Sequence, residues 1–331
     1  MYSFRKHSGE LTSSPLVLSS TAAEILFDMV KYVYDIHNTR IISAIRTSHP
    51  AKGVNQPLLR ALWRPWTLLW LSLPMSIRSY AYSVLWQIGT RLYPDGEDCT
   101  QALPFGLFAK RALTEIARSA AQANIHVAMN TTIPVPTILD FLEGKKYSLT
   151  IMTRLPGESM CEPMLSGQIS EEYFETTMRD WFTQLRNLPP PDPMRVTNFD
   201  GGMCHCFRVT GDQFGPFPDI PSFHEQLLRM CPFSDQERLR PIAAKVYNRS
   251  HRILFAHGDI HVHNILTHKG RLTGLVDWDC AGWYPEYWDY VVAIYHIKQH
   301  PFWVDSLSRI FPQYQDELEI EREIWKVHFP W

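Results

Sequence analysis

The chain has 331 residues, of which 45% are hydrophobic and 20% charged, with a formal net charge of −2. That is enough apolar material for one large domain or one two-lobed unit. There is no basic surplus to hold nucleic acid and no basic tail to hold an anionic membrane. Six scattered cysteines and a polar start (Met1 to His7) argue against a secreted disulfide scaffold and for a reducing cytoplasm.

Ser19-Ser20-Thr21, with Glu24 three residues after Thr21, predicts a capped helix over residues 22–36. Residues 39–60 read as a loop-rich connector. The most apolar stretch, Pro65 to Ile77, is 13 residues long and holds Pro65 and Pro74. A membrane span needs about 20 apolar residues, so no span is expected. Trp63, Trp66 and Trp70 are expected to pack in a core or between lobes. Residues 66–92 predict one or two helices broken at Pro74, and Tyr93 to Asp98 a turn cluster.

Leu103 to Ala109 is short and apolar, which suits a buried strand ending at Lys110. Residues 111–129 are alanine-rich and predict a helix, stopped by Thr132-Ile133-Pro134-Val135-Pro136. Residues 137–142 and 147–153 predict strands joined by a turn at Glu143 to Lys146, and residues 154–158 a loop. From about residue 170 helical patterns dominate, around a Gly/Pro-rich island from Asn198 to Pro221. Mixed elements early and helices late suggest a small mixed lobe followed by a larger helical one. The expected fold is α/β (α+β) and two-lobed: a helical extension over 1–92, a small lobe over 93–155 and a large lobe over 156–331.

The most informative stretch is His257-Gly258-Asp259-Ile260-His261-Val262-His263-Asn264, followed by the apolar run that ends at Val276-Asp277-Trp278-Asp279. Asp259 and Asn264 fall on a loop between apolar runs at 253–256 and 265–266. Ile265-Leu266 and Leu275-Val276 can pair as a hairpin, which brings Asn264 and Asp277 to one mouth. Phosphoryl transfer needs that arrangement: oxygen ligands for Mg²⁺ and a carboxylate near the acceptor hydroxyl. His257, two residues before the carboxylate, is expected to support the loop backbone. A zinc site from His257, His261 and His263 has no helix to present its ligands and no cysteine partner.

These residues, with the continuation Cys280-Ala281-Gly282-Trp283-Tyr284-Pro285-Glu286-Tyr287-Trp288-Asp289, resemble the aminoglycoside phosphotransferase and choline kinase-like family, and its fungal branch in particular. The resemblance implies a protein-kinase-like fold with ATP between two lobes. It implies Asp259 as catalytic base, Asn264 and Asp277 as Mg²⁺ ligands, a supporting role for Asp279, and structural roles for Glu286 and Asp289. Leu103 to Lys110 is similar to the family's nucleotide-lobe strand, which makes Lys110 the candidate ATP-phosphate lysine. Thr131 to Pro136 matches the family's T-S-I-P-V-P. Ile151 to Glu158 matches its hinge, so backbone groups of Thr153, Arg154 and Leu155 would read adenine. The implied activity is Mg-ATP-dependent phosphorylation of a hydroxyl on a small-molecule acceptor.

The resemblance also places a helix glutamate about 13 residues before Ile133, to pair with the lysine. Ala120 stands there, and Glu115, five residues earlier, lies about 140° past one full turn around the helix. That departure keeps two rival readings open. One is a pseudokinase or ligand-binding module. The other is an enzyme that reuses the cleft for a reaction without phosphoryl transfer. Cys204-His205-Cys206 reads as reduced thiols in a loop rather than a zinc site. The acidic run Asp316, Glu317, Glu319, Glu321 and Glu323 reads as a solvated helix face more readily than as a cradle for a cationic acceptor. Neither the acceptor nor the oligomeric state is fixed by the sequence.

Overall fold

The computed structural model describes residues 39–47, 67–94, 98–297 and 300–328. The expected helix over 22–36, and Trp63 and Trp66, lie outside the described residues. The chain folds as an α+β molecule of two lobes, as the order of elements led one to expect. The small lobe is a four-stranded antiparallel sheet in the order β1-β2-β4-β3, from β1 (Thr100–Leu103), β2 (Leu107–Leu113), β3 (Ile138–Leu142) and β4 (Tyr147–Thr153).

Helices cover both faces of this sheet. α1 (Thr39–Thr47) and α3 (Thr114–Asn130) pack on one face, where Ile41, Ile45, Ala117, Ala121, Ile125, Ile138 and Phe141 form a core. α2 (Met75–Leu92) covers the other through Tyr82, with Leu103, Ala109, Leu139, Leu149 and Ile151. Alternation along β2 therefore buries Ala109 against α2 and sends Phe108, Lys110 and Ala112 to the opposite side, which lines a cleft. A buried ion pair between Arg78 of α2 and Asp140 of β3 ties helix to sheet, and Trp70 Nε1 donates to Asp140 Oδ2 at 3.2 Å. Trp70 is thus a packing residue of the small lobe, as expected.

Three expectations need correction here. Residues 39–47 are helical rather than connector, because Ile41 and Ile45, one turn apart, both bury on the small-lobe core. Leu103 to Ala109 is not one strand. Pro104–Gly106 makes a tight turn with Phe105 at φ 64° and Gly106 at φ 69°, so β1 and β2 form a hairpin and Lys110 lies inside β2. The helix predicted from 111 starts at Thr114, because Arg111, Ala112 and Leu113 pair with Leu149, Ser148 and Tyr147, and sheet pairing overrides their helix propensity. The break at Pro74 is where the sequence placed it: residues 67–72 are helical and α2 begins at Met75.

The hinge passes through residues 154–157 into a short strand β5 (Glu158–Ser159), which pairs with the large lobe. There follow α4 (Cys161–Leu165), α5 (Glu171–Arg186), β6 (Thr197–Asn198), β7 (Cys204–Cys206), β8 (Thr210–Phe214), α6 (Ile220–Arg229) and α7 (Phe233–Tyr247). Then come β9 (Ile253–Ala256), β10 (Ile265–His268), β11 (Arg271–Leu275), β12 (Gly282–Pro285), α8 (Trp288–His296), α9 (Pro301–Ile310) and α10 (Gln315–Trp325). The Gly/Pro-rich island is thus partly ordered as strands, with β7 and β8 paired as a hairpin. The largest core lies in this lobe, with Trp288, Trp303, Tyr284, Tyr287 and Tyr290 fully buried. All six cysteines are unpaired thiols. No described helix is long and apolar enough to cross a membrane.

Candidate active site

The loop from His257 to Asn264 leaves β9 and enters β10, and buried groups fix its path. Gly258 has φ +77°, and a Cβ there would lie 2.2 Å from the Cys280 carbonyl oxygen, so no side chain fits. His257 is fully buried; its Nε2–H donates to Val276 O at 3.0 Å and its Nδ1 accepts from the Asp259 amide at 3.3 Å. Asp289, near the start of α8, accepts from the amides of His257 (3.2 Å) and Gly258 (2.8 Å). His257 and Asp289 therefore hold backbone, the supporting places that the sequence suggested for them.

The β10–β11 hairpin forms in the expected register, Ile265 opposite Leu275 and Leu266 opposite Gly274, and the Val276 amide donates to Asn264 O at 2.9 Å. Asn264 and Asp277 consequently line one cleft. Asn264 Nδ2 donates to the Asp259 backbone oxygen and to Asp259 Oδ2, both at 2.8 Å. Its nitrogen faces Asp259, which leaves its carbonyl oxygen as the atom able to meet a cation. The other Asp259 oxygen, Oδ1, lies 2.9 Å from Nε2 of His296, at the end of α8. Burial pushes the Asp259 carboxyl up, but the contacts with His296, His257 and Asn264 outweigh it and hold the group below its ordinary value. It is an anion ready to accept a proton.

Asp277 adopts φ +67°, a strained conformation for a residue with a side chain. Its Oδ1 is 2.6 Å from Lys110 Nζ, and Asp279 Oδ2 is 2.8 Å from the same nitrogen. Burial works against the Lys110 charge, yet Asp279 and Asp277 more than offset this and keep the ammonium firmly protonated. One cation cannot fully satisfy two carboxylates. Asp279, which is the more deeply buried, is pushed above the carboxylate range by that burial, against the pull of Lys110 and with Asp277 repelling it. The lysine thus finds its counter-charges 167 residues away, in the other lobe.

Nothing from α3 supplies that charge. Glu115 is exposed on the first turn of α3, while Ala117, Ala120, Ala121 and Asn124 line the cleft. Asn124 Oδ1 is buried there with no hydrogen-bond partner among the described residues. The cleft is about 780 Å³, within the usual size of a small-molecule site, and Thr153, Arg154 and Leu155 also line it. Two of those three amides are already engaged: Thr153 N donates to Thr137 O at 2.9 Å and Arg154 N to Gly106 O at 2.7 Å. The Leu155 amide is the donor left for a ligand at the hinge.

The oxygens at the mouth suit a hard cation. Among the described residues no three His, Cys, Asp or Glu side chains gather as a metal cage. A cation held by one carboxylate, one amide oxygen and ligand phosphates needs no such cage.

Two other features resolve into packing. In β7, burial pushes the Cys206 thiol up to about 12, and its Sγ sits 3.7 Å from Gly258 O, so the Cys204-His205-Cys206 segment supports the loop from beneath. It is a strand of protonated thiols rather than a loop. The acidic run on α10 divides: Asp316 and Glu319 are exposed, as a solvated face would have them, whereas Glu321 is buried against Arg208 and Glu317 beside Arg249 and His251. Asp316 pairs with Arg249 and Glu323 with Arg238 and Lys326. His296 was not singled out in the sequence, although its spacing from Asp289 was a usable signal.

Residues 106–322 match the model of the phosphotransferase enzyme family. No curated protein matches this chain. Among solved structures, the chain is similar to the aminoglycoside phosphotransferase APH(3'')-Id from Streptomyces rimosus, in complex with ADP and streptomycin. The identity is 15%, over 74% of this chain and 98% of that one, with a TM-score of 0.45. It is similar to the macrolide 2'-phosphotransferase MphH from Brachybacterium faecium at 12% identity, over 73% and 88%, with a TM-score of 0.48. It is also similar to a putative fructosamine-3-kinase from Haemophilus somnus at 12% identity, over 66% and 73%, with a TM-score of 0.47. At such identity none of these likenesses transfers a substrate or a residue's role.

Proposed function

Because the chain belongs to the phosphotransferase enzyme family, we propose that it transfers the terminal phosphoryl group of Mg-ATP to a hydroxyl of a small metabolite. One observation carries this reading. Asn264 and Asp277 meet at the mouth of a cleft that also holds Lys110 and the hinge, and Asp259 is bonded to Asn264 at its edge. Residues 93–155 then serve as the nucleotide lobe, residues 156–331 as the catalytic and acceptor lobe, and the helices α1 and α2 as an extension packed on the nucleotide lobe.

Asp259 orients the acceptor hydroxyl and takes its proton as the new O–P bond forms and the bond to the ADP oxygen breaks. Asn264 and Asp277 would hold Mg²⁺, which would neutralise charge developing on the donor phosphates. Lys110 lies beside that position and would steady the α and β phosphates. The Leu155 amide would hydrogen-bond the adenine edge. The ion pairs of Lys110 with Asp277 and Asp279 supply the counter-charge that Ala120 cannot, which weighs against the pseudokinase reading. The acidic residues of α10 that pair with arginine and lysine give no support to a polycationic acceptor.

Calorimetry with ATP and Mg²⁺ tests the reading. Binding at millimolar concentration or tighter is expected, and no binding overturns it. A panel of hydroxylated metabolites screened for phosphate transfer would then identify the acceptor.

A further inference from the structure

The helix α8 touches the Asp259 loop at two points. Asp289 and His296 are seven residues apart, which is close to two full turns, so both project from nearly the same face. Asp289 grips the loop's backbone through the His257 and Gly258 amides, and His296 meets its carboxylate. Every residue from Trp288 to Tyr295 is buried, so the helix is a rigid mount. The two facing side chains are themselves mostly shielded, His296 at 18% and Asp259 at 15% exposure. Among the described residues, the ionisable groups around the His296 ring are Asp259, His261 (ring centroids 5.1 Å apart) and Tyr295 of its own helix (5.6 Å).

We infer that His296 is a positioning residue for Asp259, an imidazole clamp that fixes the carboxylate for the acceptor hydroxyl; the inference rests on the phosphotransfer reading above. Nε2 of His296 stands 2.9 Å from Oδ1 as an ion-pair contact, off the line of its N–H; an ionised carboxylate can only accept, so a turn of the ring that brings Nε2–H onto Oδ1 completes the contact when the acceptor docks. Asn264 donates to Oδ2 and the His296 ring stands against Oδ1, so the carboxylate is contacted at both ends. Oδ1 keeps a second lone pair, and that is where the acceptor O–H docks. During transfer the hydroxyl proton passes to Oδ1, the hydroxyl oxygen bonds to phosphorus, and ADP leaves with the electrons of the broken P–O bond. His296 keeps its own proton throughout and contributes orientation and charge stabilisation, not proton transfer.

The test compares His296→Leu with His296→Gln, whose amide can still donate an N–H to the carboxylate. ATP hydrolysis is the readout, with water as the acceptor. The expected result is a 10- to 100-fold loss of kcat in His296→Leu, partial recovery in His296→Gln, and Mg-ATP affinity within about twofold of wild type in both. In the Asp259→Asn background, His296→Leu should cost little more. Equal losses in the two His296 variants, unchanged kcat in His296→Leu, or full additivity with Asp259→Asn would each overturn the clamp.

A readout independent of activity separates this inference from the phosphotransfer reading. In the ring-nitrogen NMR spectrum, the His296 signal (the one missing from His296→Gln) should show a single tautomer protonated on Nε2, turning to a mixture in Asp259→Ala. A mixture already present in wild type would overturn the clamp whether or not the protein hydrolyses ATP. Absence of nucleotide binding with the single tautomer intact would overturn the phosphotransfer reading alone.

Discussion

The two walls of the cleft are built on different principles. The large-lobe wall is held from within: Asp289 accepts from the amides of His257 and Gly258, Asn264 donates to Asp259, and α8 meets the loop at two points. The small-lobe wall brings Lys110 on a strand facing the alanines of α3, and among the described residues its ammonium is paired only across the cleft. One wall is therefore complete by itself, whereas the other is completed by its partner. The Lys110 ion pairs join the two walls where the site is assembled.

The largest expected effect tests the self-contained wall. Asp259→Asn keeps the shape and the Asn264 contact but removes the proton acceptor, so turnover should fall about a thousandfold while Mg-ATP affinity holds within a few-fold. Retained turnover would take Asp259 out of the base role. Next, Arg78→Ala should loosen the small lobe alone, because it leaves Asp140 charged and buried at a cost of about 3–5 kcal/mol. Hydrogen exchange should rise across β3 and β4 while the loop around Asp259 stays protected. Equal exposure of both lobes would show that they do not differ in this way.

Acid should do the reverse. His224 is buried on α6, stacked on Tyr247 at 3.7 Å and within 2.7 Å of the Tyr287 hydroxyl, and burial, with His251 nearby, lowers it to about 3. An unfolded histidine protonates near pH 6.5. The folded large lobe must keep the ring neutral, so its stability is full above that pH and falls as pH drops toward 3. The loss is about 2 kcal/mol by pH 5. Thermal melts from pH 7 to pH 5 should show it, and His224→Gln should flatten the dependence. A melt that does not move with pH would remove His224 as the source.

Much of the large-lobe wall was legible because its contacts are local. The alternation over 265–276 fixes the hairpin, and the hairpin fixes where Asn264 and Asp277 emerge. Loop support by His257 follows from its nearness in sequence to the turn it holds, whereas Asp289 reaches that turn from 31 and 32 residues further on. His296 escaped notice because helical phase, not adjacency, links it to Asp289. The small-lobe wall was less legible for a physical reason. A search of α3 for a glutamate could not find the partner of Lys110, since that partner is set by tertiary contact with the other lobe. The Pro104–Gly106 turn was hidden inside an apolar run whose composition suits a continuous strand, and the turn depends on positive φ at Phe105, which no propensity anticipates.

The smallest effects decide where the lysine's counter-charge resides. Asp279→Asn removes one of the two carboxylates on Lys110 and leaves the ammonium to Asp277 alone, which then competes with the cation for the same oxygen. Charge-assisted hydrogen bonds contribute about 1.5–3 kcal/mol, so Mg-ATP affinity should weaken about tenfold. Glu115→Gln should leave it unchanged. Glu115 is exposed and faces away from the cleft, and its charge near the start of α3 is worth only a few tenths of a kcal/mol to the helix. If Glu115→Gln weakened nucleotide binding while Asp279→Asn did not, α3 would have to turn by more than a third of a revolution in the working enzyme. The small-lobe wall would then complete itself much as the large-lobe wall does.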